Sequence, residues 1–303
     1  MPAKVFISCG QGANEEREVA RQLGQWFDAA GYKPYVAIEV QSILDLNAGI
    51  IGELKTSDYY LFVNFRRETV TASDGTQFRR GSIYTNQELA IAYSLGFDHM
   101  LLVNQKDAKP EGVFKFIVTN VPEFDTHNEL LPRVQDAVQK AGWHPGYTRQ
   151  LLAGGLRLAA PIRYVGDTCP RDIRTLHVDI HNGRPDIGAV ECVARLARFG
   201  LQGQPLHPSP DRSLLKVTGL PGFSQTIWPH SHGAFDLLGI LVTTQRDVFL
   251  NSALDVRPRR PVITEPGDYH LEYEVFAQGF PPLPVQVLLH LTGSLTSTTA
   301  SLI

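Results

Sequence analysis

The period of the apolar pattern changes once along this chain, so no single uniform architecture can hold all of it. Up to about residue 142, strand and helix signals alternate, the pattern of a parallel α/β sheet. Within that stretch, residues 59–65 (YYLFVNF) form an apolar run with no polar alternation. Such a run belongs in the middle of a sheet covered on both faces. After Arg171 the period becomes two. Leu176, Val178 and Ile180 alternate with His177, Asp179 and His181; Leu271, Tyr273 and Val275 alternate with His270, Glu272 and Glu274; and Val285, Val287, Leu289 and Leu291 continue the pattern. Short alternating runs bounded by Pro and Gly turns predict an antiparallel β-sandwich. Between the two regimes, residues 143–170 carry several Gly and Pro and no period, and read as a linker with a short helix over 147–152.

Finer elements follow from the same patterns. Lys4 to Cys9 reads as a buried strand ended by Gly10-Gln11-Gly12. Asn14 is placed to cap a helix in which Val19, Leu23, Trp26 and Phe27 recur at helical spacing until Gly31. Strands are expected at 35–40, 59–65 and 100–103, with a fifth at 114–118. Residues 44–54 read as loop followed by helix, and helices are expected over 88–95, ended by Gly96, and over 130–141.

Composition excludes several classes. The 303 residues are enough for two domains. Net charge is −3 with 19% charged residues and no long basic run, so a nucleic-acid partner is not expected. No apolar stretch has the length of a membrane span. The opening Met-Pro-Ala-Lys-Val-Phe-Ile-Ser runs into a strand pattern rather than a signal peptide. Cys9, Cys169 and Cys192 are sparse and odd in number, which points to a reducing cytoplasm, and they lack metal-ligand spacing. His230 and His232 lack a visible third ligand, so no metal is expected.

The stretch richest in chemistry is 81–90 (GSIYTNQELA), with a hydroxyl at Ser82, a ring at Tyr84 and a carboxylate at Glu88. A structural reading is available: Thr85-x-x-Glu88 has the form of a capping box, with Tyr84 and Leu89 as the hydrophobic staple. The spacing also resembles the S-x-W-x-x-x-E signature of Toll/interleukin-receptor (TIR) domains that cleave NAD, with Tyr84 in the tryptophan place. Three further fragments share that resemblance and its order: Val5-Phe6-Ile7-Ser8, similar to the opening strand of many TIR domains; Leu44 to Ile51, similar to the BB-loop segment; and Ser57-Asp58 ahead of an apolar strand.

The resemblance covers roughly the first 105 residues and implies a flavodoxin-like domain over 1–142, ahead of the linker over 143–170. Separately, residues 265–271 (EPGDYHL) resemble the turn and penultimate strand of an immunoglobulin-like fold, so an immunoglobulin-like sandwich is expected over 171–303. The TIR resemblance implies Glu88 as the catalytic residue. Tyr84, Ser82, Ser8, Cys9, Gly10 and Arg80 are then candidates for contact with NAD as substrate, with no separate cofactor. Arg66, Arg67 and Arg79 join Arg80 as available phosphate cations. It also implies bacterial antiphage defence, self-association through the TIR domain, and an unknown protein or ligand at the sandwich. Two other readings compete: a non-catalytic TIR interaction module, and an enzyme related to nucleoside deoxyribosyltransferases, which also act at a ribose C1′ with a glutamate.

Overall fold

The computed structural model describes residues 2–37, 43–117, 121–164, 171–209, 214–250 and 261–303. The chain separates into two compact units, Met1–Thr148 and Arg149–Ile303.

The first unit runs β1 (Lys4–Cys9), α1 (Asn14–Ala29), β2 (Lys33–Val36), α2 (Ile43–Thr56), β3 (Tyr59–Asn64), β4 (Glu68–Thr71), β5 (Gln77–Arg80), α3 (Ile83–Ser94), β6 (Met100–Gln105), β7 (Ala108–Lys109), α4 (Phe114–Ile117), β8 (Glu123–Phe124) and α5 (His127–Lys140). Its main sheet has the order β2-β1-β3-β6-β8, all parallel. Counting those five strands in chain order gives 2-1-3-4-5, a doubly wound order. Strand alternation sorts the core into two layers. Val5, Ile7, Cys9, Tyr59, Leu61 and Val63 pack with α1 and α5. Phe6, Tyr60, Phe62 and Leu102 pack with Leu54 of α2, Leu89 and Ala92 of α3, and Phe114 of α4. All six residues of β3 are buried, as its unbroken apolar run requires. A small second sheet, β4-β5-β7, joins the hairpin inserted between β3 and α3 to the short strand that follows β6.

The second unit is antiparallel throughout. Its strands are β9 (Leu151–Leu158), β10 (Ile162–Tyr164), β11 (Arg171–Asn182), β12 (Ala189–Leu201), β13 (His207–Pro208), β14 (Gln225–Ile227), β15 (His232–Leu241), β16 (Val248–Leu250), β17 (Gly267–Gln278), β18 (Leu283–Leu291) and β19 (Thr299–Leu302). One sheet is ordered β10-β11-β15-β16, with β9 also on β11; the other is β13-β12-β17-β18-β19, with β14 on β12. Leu176, Val178 and Ile180 from the first sheet and Leu271, Tyr273, Val275, Val285, Val287 and Leu289 from the second share one core, so the alternating residues all point inward. The Tyr269 hydroxyl donates to the Glu265 carbonyl at 2.9 Å, tying the start of β17 to its preceding turn.

Several expectations need correction. Residues 114–117 are helical rather than extended, Val118 lies outside the described residues, and the fifth parallel strand is Glu123–Phe124. Strand β2 is Lys33–Val36, and residues 38–40 lie outside the described set. The segment likened to a BB loop falls within helix α2. Residues 143–170 are not simply a linker. Trp143 and Tyr147 are core residues of the first unit, with Trp143 stacked on Tyr59 at 4.4 Å, and residues 151–158 are strand β9 rather than the end of a helix. The missing period misled there because aromatic anchors and a half-exposed strand leave no clean repeat. No helix among the described residues is long and apolar enough to cross a membrane.

Candidate active site

Ligands of doubly wound sheets sit beyond the carboxyl ends of the strands, where the strand order reverses. Here that place lies between the ends of β1 and β3. Ser8, next to last in β1, points into the α2/α3 layer and is fully buried. Its hydroxyl donates to Glu88 Oε2 at 2.5 Å, across 80 residues of sequence. Glu88 reaches it from the second turn of α3 and is itself only partly buried. An interior strand end and a helix thus hold one carboxylate at the sheet's switch point.

The geometry of α3 overturns the capping-box reading. The helix starts at Ile83 with Ser82 as N-cap, so Thr85 is already its third residue. The Thr85 hydroxyl donates to the Ser82 carbonyl at 3.1 Å, and Glu88, a turn further on, is drawn to Ser8 instead. The expected staple does not form either: Leu89 is fully buried in the core, whereas Tyr84 is 65% exposed. Tyr84 and Glu88 are four residues apart, hence neighbours on one helix face. The ring is left open beside the carboxylate. Ser82 is buried and makes no side-chain cap bond. Gly81 fixes where α3 begins, because a Cβ there would overlap Asn64 Oδ1 at the end of β3. Asn64 is held in turn, its Nδ2 donating to Asn104 Oδ1 at 2.8 Å.

The other candidates fall elsewhere. Cys9 follows Ser8 in the strand and so points to the opposite layer, among the core residues under α1 and α5. Burial pushes its thiol up to about 12, with the Glu88 and Glu16 carboxylates adding to the rise and Arg67 opposing it. A thiol held protonated in this way is a packing group rather than a nucleophile. Gly10 and Gly12 do not form an open phosphate cradle. Helix α1 is capped at Ala13 rather than Asn14, and Glu16 Oε2 accepts from the Gly12 and Ala13 N–H groups at 2.7 and 3.3 Å. Arg67 donates to the same carboxylate at 2.5 Å, and its guanidinium lies so close to Gly10 and Gly12 that a Cβ on either would fall within 3 Å of Nη2. An internal carboxylate therefore occupies the amides that a phosphate would seek.

Arg80 is paired across the β4–β5 hairpin with Glu68, at 2.7 and 2.9 Å. Arg66 lies 3.6 Å from Asp125. Arg79 is exposed and, unlike Arg66, Arg67 and Arg80, forms no ion pair among the described residues. No group of three or more His, Cys, Asp or Glu side chains suited to a metal occurs among the described residues.

Two tyrosines missed in the sequence also feel the charge of Glu88. Tyr35, at the end of β2, has its phenol ionisation raised by burial, then by Glu53 and Glu88. Tyr60, in β3, is fully buried and raised further, by burial first and then by Glu88. Both fell within apolar runs, where an aromatic reads as core. The available signal was strand parity, which puts Phe6, Ser8 and Tyr60 on one face of the sheet.

No family model matches the chain, and no curated protein matches it. Among solved structures, it is similar to a β-glucosidase from Erythrobacter marinus at 11% identity and TM-score 0.29, covering 94% of this chain and 46% of that one. It is also similar to a Kluyveromyces marxianus β-glucosidase in complex with glucose, at 11% identity and TM-score 0.24, covering 88% and 35%. A Listeria innocua β-glucosidase in complex with gluconolactone follows at 10% and 0.26, covering 94% and 45%. The chain spans less than half the length of each of these, and likeness at this level carries no argument about activity.

Proposed function

We propose that this protein is a TIR-like enzyme that cleaves the nicotinamide–ribose bond of NAD, with Glu88 as its catalytic residue. The observation that supports this most is the Ser8–Glu88 contact of 2.5 Å at the switch point of a 2-1-3-4-5 sheet. It joins two fragments of the resemblance that lie 80 residues apart in sequence. The chemistry suits one positioned carboxylate. Nicotinamide in NAD is a cationic leaving group, so it departs with the bonding electron pair and becomes neutral without a strong general acid. Positive charge then develops on the ribose, where a fixed carboxylate stabilises it. Water adding at C1′ and losing its proton gives ADP-ribose; an intramolecular nucleophile gives a cyclic isomer. The exposed Tyr84 ring stands where it can face the cationic nicotinamide. The diphosphate is met outside the Gly10–Gly12 loop; of Arg66, Arg67, Arg79 and Arg80, Arg79 is the one with no ion pair among the described residues.

In this reading the second unit is an immunoglobulin-like sandwich that controls assembly or senses a trigger, in bacterial antiphage defence in the cytoplasm. The pairings β12-β17-β18 and β11-β15 correspond to the C-F-G and B-E pairings of such folds, and the Tyr269–Glu265 bond has the form of a tyrosine corner.

Nicotinamide release by pure protein, dilute and clustered, tests the proposal. Glu88→Gln keeps the side chain's size, so the fold should survive while turnover falls by ~100-fold or more. A variant that melts normally and cleaves NAD as fast as the parent would remove Glu88 from the mechanism.

A further inference from the structure

Tyr60 sits in the central strand with its ring stacked on Phe6 at 5.8 Å and tilted against Phe97 at 5.8 Å. Its hydroxyl lies beside Ser8, is fully buried, and makes no hydrogen bond of ordinary geometry. Buried hydroxyls without partners are rare, and phenylalanine would fill the same ring volume without that cost. The polar pair within reach is Ser8 and Glu88. A serine hydroxyl has one proton and two lone pairs. If a phenol O–H is directed at one lone pair of Ser8, the Ser8 proton is left to point at Glu88.

We propose that Tyr60 is a positioning residue for Glu88, acting through Ser8: the phenol donates to the Ser8 Oγ and so holds the Ser8 hydroxyl in the orientation that donates to the Glu88 carboxylate. The relay moves no proton and makes no covalent bond. It fixes the carboxylate's rotamer and strengthens its hydrogen bond through donor polarisation. The groups facing Glu88 fit this role. Ser8 comes from β1, Tyr60 from β3 and Tyr35 from β2, with Glu53 of α2 beyond Tyr35 and paired to Lys4, while Cys9 lies on the other face of β1. Burial holds Tyr60 and Tyr35 in their protonated forms, so each adds a neutral dipole rather than a charge. The relay rests on the NAD reading only for what Glu88 does to a substrate; the coupling of the three side chains can be measured without one.

The test is a carbon-13 carboxyl titration of the full-length protein by NMR, with the Glu88 resonance identified by its loss in Glu88→Gln. In Tyr60→Phe the Glu88 midpoint should rise by a few tenths of a pH unit, because the Ser8 donor is less polarised. Ser8→Ala should raise it by about one unit, since a hydrogen bond to a charged group is lost outright. Adding Tyr60→Phe to Ser8→Ala should then change nothing further, the mark of an effect carried through Ser8. An unmoved midpoint in Tyr60→Phe, or an equal shift with and without Ser8, overturns the relay. Should Tyr60→Phe fail to fold, the parent still decides. The Tyr60 Cζ resonance should follow the Glu88 titration in the parent and lose that inflection in Ser8→Ala; a Cζ signal indifferent to Glu88 sinks the proposal. If the midpoints move as expected and the parent releases no nicotinamide, the relay stands and the NAD reading falls.

Discussion

At the scale of single residues, exposure decides which substitutions report on chemistry and which on folding. Tyr84 is 65% exposed and does not cover Leu89. Tyr84→Ala should therefore leave stability within about 0.5 kcal/mol of the parent, the usual range for surface changes. NAD cleavage should be largely lost in Tyr84→Ala and largely kept in Tyr84→Phe, because stacking on a cationic ring needs the aromatic face rather than the hydroxyl. Melting temperature and turnover measured on the same samples check this, and a fall in melting temperature that accounts for the lost turnover would return Tyr84 to a packing role. Glu16 gives a complementary pH prediction. Burial pushes its carboxyl up, but the hydrogen bond and charge of Arg67, with the Ala13 and Gly12 N–H groups, outweigh burial and leave it below the ordinary range. A carboxyl lower in the folded state than in the unfolded one stabilises the fold above its unfolded pKa, and that contribution is lost as pH falls through the folded value. The parent should thus lose stability on acidification in that window. Glu16→Gln should be less stable at neutral pH and show a flatter acid limb in urea melts taken from pH 7 to about pH 3. Parallel acid limbs for the two proteins would show that Glu16 contributes nothing to the pH dependence.

At the scale of elements, the start of α3 governs the site, and its cause is a glycine. Gly81 lies against Asn64 Oδ1 with no room for a methyl group, and Asn64 is fixed by Asn104 at the end of β6. Gly81→Ala should cost about 1–3 kcal/mol through overpacking. It should also displace Glu88 from Ser8, so turnover falls by more than the folded fraction does. Urea denaturation alongside turnover measures both; an alanine tolerated without loss in either would mean that β3 and α3 can slide apart freely. This element also shows what could be read from the sequence. The strand cores were legible because Val5, Ile7 and 59–65 have the burial period of a doubly covered sheet, as were the inward residues Leu176, Val178, Ile180 and Leu271, Tyr273, Val275. The body of helix α3 was legible too, but its start at Ile83 and the role of Glu88 were not, because Thr85 and Glu88 satisfy a local capping rule as well as they satisfy a long-range one. Only a contact with Ser8, 80 residues away, chooses between them. The Gly10-Gln11-Gly12 loop misled for the same reason: its anion is Glu16, supplied by the chain itself, and the Arg67 that binds it lies 51 residues further on.

At the scale of the whole molecule, the two units have different cores, and the position of the cut between them is a physical question about Trp143 and Tyr147. A boundary drawn from composition falls after residue 142, where glycine and proline begin to accumulate. The first unit instead extends to Thr148. Trp143 stacks on Tyr59 at 4.4 Å and on Phe27 at 6.2 Å, and Tyr147 packs against Tyr59 at 5.1 Å. The chain is tied back here as well: Ala3 N–H donates to the Pro145 carbonyl at 2.7 Å, and the Thr148 hydroxyl donates to Asp58, which also accepts the Lys4 N–H. A fragment ending at 142 would lose two buried aromatic side chains and expose Tyr59, while one ending at 148 keeps them. Loss of a buried Trp alone costs about 3–5 kcal/mol, a large part of the ~5–15 kcal/mol that holds an ordinary domain. Fragment 1–148 should therefore unfold cooperatively in urea with tryptophan emission shifting to the red, whereas 1–142 should be partly unfolded in buffer and sensitive to protease. Matching urea midpoints for the two fragments would show that the aromatic cluster is dispensable and that the domain ends where the composition changes.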